Sequence, residues 1–77
     1  LGEADEMAEF MFLGLRMAEG VSFQAFEEYF GKNMESIYGD VLKKHLSIGM
    51  LEKKDGKVFL TRKGLHVSNG VMADFLL

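Results

Sequence analysis

Between Gly49 and Gly64 the sequence reads GMLEKKDGKVFLTRKG, and this tract narrows the possible folds more than any other. Two short runs, residues 50–54 and 57–61, flank Asp55-Gly56, a dipeptide that accepts the positive φ angles of a tight hairpin turn. The pattern predicts a two-stranded ribbon. Such a ribbon is marginal by itself, so Leu51, Val58 and Leu60 must pack against something else.

That something is helical. From residue 3 to 19, Met7, Phe10, Met11, Leu13, Gly14, Leu15 and Ala18 recur at helical spacing, with acids in the first turn where they suit the helix dipole. Gly20 ends this helix. Ser22 is the expected N-cap of a shorter, aromatic helix containing Phe23, Phe26, Tyr29 and Phe30, which stops at Gly31. Its spacing is that of a helix burying one face. Asn33 caps a third helix whose face is Ile37, Val41, Leu42, Leu46 and Ile48, running to Gly49. Gly39 weakens its first half or marks a break after Tyr38. After the ribbon, Thr61 caps a last helix from Arg62 to Leu77, with Leu65, Val67, Val71, Met72, Phe75 and Leu76 as its apolar contacts. Three helices, a two-stranded wing and a C-terminal helix define a mainly α, winged-helix-like fold.

Composition limits function. At 77 residues there is room for one domain with a modest core. With no cysteine, the chain supplies no disulfide, thiolate metal site or iron–sulfur ligand. No apolar run approaches the roughly 18 residues of a membrane span, so a soluble chain is expected. Because it opens on Leu1-Gly2-Glu3 rather than Met, we read it as a piece of a longer protein. Charge is divided: residues 1–31 carry seven acids and one base, Arg16, whereas residues 32–77 carry eight bases and five acids. A sequence pI near 5.3 counts against nucleic acid as a partner.

With the elements placed, the stretch Glu9-Phe10-Met11-Phe12-Leu13-Gly14-Leu15-Arg16, then Glu19-Gly20-Val21, Phe26, Phe30-Gly31, Gly49-Met50-Leu51, Leu60-Thr61, Gly64, Ser68-Asn69, Val71 and Phe75-Leu76 carry a resemblance. The sequence resembles the C-terminal domain of the radical-SAM HemN/HemW family, the oxygen-independent coproporphyrinogen III oxidase-like proteins. The resemblance implies a parent with an N-terminal barrel that uses a [4Fe-4S] cluster and S-adenosylmethionine. Such parents either convert coproporphyrinogen III to protoporphyrinogen IX in porphyrin biosynthesis or, in the HemW-like branch, bind and deliver haem. Residues 7–20 look closer to the HemW-like members. For this chain the resemblance implies a cofactor-free accessory domain, with no catalytic residue of its own, covering the substrate or haem site of the barrel or mediating domain contact. A cytoplasmic location follows from the family.

Each candidate site residue has a structural reading beside the functional one. Arg16 lies in the LGLR motif and would pair with a tetrapyrrole propionate, with an acid on the barrel, or locally with Glu9, Glu19 or a neighbouring acid. Asn69 is expected to make a backbone or interdomain hydrogen bond. His45 and His66 offer nitrogens to haem iron, yet neither sits in a ligand motif, and exposed or partly packed histidines are the simpler expectation. Metal-ligand spacing is missing. Gly14 in mid-helix is read as a site of close packing. Lys53, Lys54, Lys57, Arg62 and Lys63 make the wing basic, which serves a solvated sheet edge or phosphate contacts. A nucleic-acid-binding winged helix of a regulator is therefore the alternative function, although the third helix offers no arginine.

Overall fold

The computed structural model describes residues 2–76, and α1 (Glu3–Leu15), β1 (Val21–Ser22), α2 (Phe23–Phe30), α3 (Met34–Ser47), β2 (Leu51–Lys54), β3 (Lys57–Leu60), α4 (Arg62–His66) and α5 (Ser68–Ala73) follow in order. The expected end of the last helix at Leu77 lies outside the described residues, as does Leu1. The fold is mainly helical with a small antiparallel sheet, the class expected from the order of the elements.

The hairpin forms as its turn residues dictate. Leu51 faces Leu60 and Lys54 faces Lys57 across β2 and β3, leaving Asp55 (φ 53°) and Gly56 (φ 74°) as the two turn residues. Leu51 and Val58 are buried and Leu60 is half-buried. The wing, however, is not a two-stranded ribbon. β1 adds a third strand on the other side of β3, with Val21 opposite Val58 and Ser22 opposite Lys57. The Phe23 N–H donates to the Gly56 carbonyl at 3.0 Å and extends this pairing to the turn.

The same pairing shortens the first helix, which ends at Leu15 rather than Glu19. A Cβ on Gly14 would stand 2.4 Å from a methyl of Val21, so β1 returns directly against α1. Four more helical residues would carry the chain roughly 6 Å further along the axis and away from that contact. Residues 16–20 instead form turns, and Ala18, expected to pack, is exposed.

The capping residues act as their side chains predict. Ser22 accepts from Ala25 N–H at 3.1 Å, Asn33 from Glu35 N–H at 2.8 Å, and Thr61 from Gly64 N–H at 3.0 Å. Helix α3 bends at Tyr38 (φ −115°, ψ 20°), immediately before Gly39, the break that the glycine foreshadowed. The last helix is interrupted. Val67 (φ −122°, ψ 33°) separates α4 from α5, at a β-branched residue whose restricted χ1 lowers its helix propensity. The interruption turns Val71, Met72 and Phe75 into the core and leaves Leu65, Val67 and Leu76 exposed, contrary to the single apolar face expected of them. Ile48, expected on the apolar face of α3, is likewise exposed.

One chain of aromatic rings crosses the core. The Tyr29 ring centre lies 4.8 Å from that of Phe30, Phe30 4.8 Å from Phe26, Phe26 6.2 Å from Tyr38, and Tyr38 5.0 Å from Phe75, in edge-on or tilted contacts. Phe10 of α1 joins it edge-on against Phe26 and Phe30. These contacts fix α1, α2, α3 and the C-terminal segment around a shared interior.

Candidate apolar groove and C-terminal latch

Two stripes of apolar residues run along the first helix. Met7, Met11 and Leu15 recur every fourth position and are buried. Phe10 and Leu13 occupy the neighbouring stripe, and Met17 in the following turn continues it. A single core face cannot absorb both stripes. Leu13 is 57% exposed and Met17 62% exposed, while Phe10 is half-buried.

From α2, Tyr29 completes this surface. The aromatic face expected to be buried is split, because Phe26 is fully buried, Phe23 and Phe30 are half-buried, and Tyr29 is 71% exposed. The Tyr29 ring rests 5.7 Å from that of Phe10. Two open depressions of about 380 and 360 Å³ adjoin at Phe10 and Leu13. The first is bordered by Asp5, Glu6, Glu9 and Tyr29, and the second runs past Met17 and Glu19 to Val21 and Lys57. The result is an apolar groove with four acids and one base on its rim.

The C-terminal segment is tied down by polar bonds. His45 is buried, deeper than its sequence context suggests, and its Nε2 lies 2.8 Å from Asp74 Oδ2. Lys44 Nζ donates to the same oxygen at 3.1 Å. Hydrogen bonds from His45 and then Lys44 hold the Asp74 carboxyl below its ordinary range. His45 Nδ1 and the Tyr38 hydroxyl are buried without a hydrogen-bond partner among the described residues, and burial pushes the Tyr38 hydroxyl up. Neither ring nitrogen of His45 is therefore presented to a ligand. His66 is exposed on α4.

Arg16 is exposed at the end of α1 and makes no ion pair among the described residues, so the local bridge to Glu9 or Glu19 does not form. Asn69 is exposed on α5. No side-chain hydrogen bond or ion pair among the described residues joins any two of Arg16, Asn69, His45 and His66. On the wing, Lys53 pairs with Glu35 at 3.6 Å and lies 4.9 Å above the Phe23 ring, and Lys63 donates to the Ile48 carbonyl at 3.1 Å. Two of the five wing cations are thus engaged locally.

No group of side chains suited to a metal ion occurs among the described residues. Iron–sulfur ligation needs thiolates that this chain lacks, so a cluster does not fit here. No helix among the described residues is long and apolar enough to cross a membrane.

Comparison with known proteins identifies the family. A family profile described as the HemN C-terminal domain matches residues 1–67. The heme chaperone HemW of Bacillus subtilis (strain 168) is 35% identical over 72 residues, covering 94% of this chain and 19% of that protein. The heme chaperone HemW of Lactococcus lactis subsp. lactis (strain IL1403) is 32% identical over 77 residues, covering all of this chain and 20% of that protein. The chain thus spans about a fifth of the length of the curated relatives it matches. No solved structure matches it. With its residues matched over most of their length to that profile, the chain belongs to the HemN C-terminal domain family.

Proposed function

We propose that this chain is a single accessory domain from the C-terminus of a longer HemW-like radical-SAM protein that handles haem, and that it packs on the remainder of that protein through the α1–α2 face. The observation that carries this reading is the exposed stripe Leu13, Met17 and Tyr29, beside half-buried Phe10; Phe10 and Leu13 lie in the family motif itself. Isolated apolar residues on a surface need no explanation, but a contiguous apolar groove marks an interaction site. Domain interfaces within one chain have this mixed character, apolar at the centre and polar at the edge. The matched relatives are heme chaperones about five times as long as this chain, which supports both the haem connection and the partner.

In this reading the [4Fe-4S] cluster and S-adenosylmethionine belong to the barrel. Arg16 and Asn69, both exposed, are available to contact that barrel or a tetrapyrrole carboxylate. Between the two histidines, His66 is the one accessible to haem iron without breaking the latch.

Hydroxyl-radical footprinting of the isolated chain and of the full-length protein tests the packing. Met17 and Tyr29 are expected to oxidise readily in the isolated chain and to be protected in the full-length protein, with buried Met11 and Met34 as internal standards. Equal oxidation in both would remove the accessory reading.

A further inference from the structure

The groove between α1 and α2 has a sign as well as a shape. Asp5, Glu6, Glu9 and Glu19 stand along its rim against a single Lys57 at its far end. Its floor is apolar, made by Phe10 and Leu13. None of the ion pairs among the described residues uses Asp5, Glu6, Glu9 or Glu19, so no described cation neutralises these carboxylates. By contrast Glu3, outside the groove, is paired with Lys32.

We propose that this groove receives an apolar ridge flanked by lysine or arginine, supplied by the part of the same polypeptide that lies outside this chain. The inference rests on the accessory-domain reading and adds the chemistry of the surface that docks. An apolar ridge covers Phe10, Leu13 and Met17, whose exposure is otherwise unopposed. Flanking cations meet the rim acids, which would lose hydration without compensation under an apolar or acidic partner. The source is the same polypeptide because the relatives have about four-fifths of their length beyond the region matched, so the remainder is present at high effective concentration.

The test is footprinting of Met17 and Tyr29 in the full-length protein, comparing the parent sequence with Glu6→Lys/Glu9→Lys and with Glu6→Gln/Glu9→Gln at low and high salt. Both glutamates are exposed on α1, so thermal unfolding of each variant checks that the domain itself is intact. Charge reversal is expected to expose Met17 and Tyr29 to the level of the isolated chain, the neutral pair to give a partial loss of protection, and added salt to weaken protection in the parent sequence. Protection that persists unchanged through charge reversal overturns the basic-ridge proposal while leaving the accessory reading in place. Protection that disappears on dilution assigns the groove to a second copy and overturns it too. Absence of protection in the parent sequence sinks both readings together.

Discussion

Phe75 and Tyr29 sit at opposite ends of one run of touching rings, yet Phe75 is fully buried and Tyr29 is 71% exposed. Around Phe75 the chain is tied by directional bonds. Asp74 meets His45 and Lys44, and Thr61 both caps α4 and donates to the Gly49 carbonyl. Gly64 lies so close to the loop before β2 that a Cβ there would be 2.0 Å from the Met50 carbonyl oxygen. Around Tyr29 the ties are the exposed Lys32–Glu3 pair and the Gln24–Glu28 hydrogen bond, and apolar rings and side chains stay open beside Asp5, Glu6 and Glu9, which enter no ion pair among the described residues. One end of the fold secures itself, whereas the other presents an unfinished face. Under the proposed docking, stability and interaction are carried by different residues of the same aromatic chain.

The contrast is broken most forcefully at its buried end. Phe75→Ala is expected to cost about 3–5 kcal/mol in urea unfolding, whereas Tyr29→Ser should cost less than about 1 kcal/mol. For a small domain with a total stability of about 5 kcal/mol the first change is nearly sufficient to unfold it. Similar losses for the two would mean that Tyr29 is integral to the core and that the two ends do not differ.

A smaller effect is expected where α4 meets the Gly49-Met50 loop. Gly64→Ala forces the Met50 carbonyl to move, with an expected loss of about 1–3 kcal/mol and a correspondingly lower thermal midpoint. An alanine variant as stable as the parent would show that this staple yields freely.

The latch at Asp74 should appear as a pH effect. Its carboxyl titrates below the usual range in the folded chain, so the ionised form stabilises the fold above the ordinary aspartate value near 3.8, and this contribution fades as pH falls through the lowered folded value. Thermal midpoints from about pH 7 to about pH 2 should show Asp74→Asn less stable at the upper end and converging on the parent in acid. A difference that stays constant over this range would show that the carboxylate charge contributes nothing to the latch.

Much of the fold was legible because its signals are local. Asp55-Gly56 specifies a turn in two residues, and Ser22, Asn33 and Thr61 cap helices by reaching amides two or three positions away. The motif of the family was legible too, and it carried the correct family. The groove was less so. Phe10, Leu13 and Met17 could have been noticed as a second apolar stripe beside Met7, Met11 and Leu15, but periodicity does not state which stripe faces inward. Among the predicted site residues, His45 illustrates the limit: its partner lies 29 positions away, at Asp74.

What the sequence by itself determined about this protein is the order of its helices, the hairpin turn, the caps and the family, since each depends on side chains adjacent in the chain. Tertiary structure alone decided that Val21 and Ser22 pair with β3, that α1 ends at Leu15, that the last helix breaks at Val67, and that Tyr29 rather than Phe26 faces out. Those outcomes depend on contacts between segments distant in sequence, where packing against a particular neighbour outweighs the weak local preferences of two or three residues.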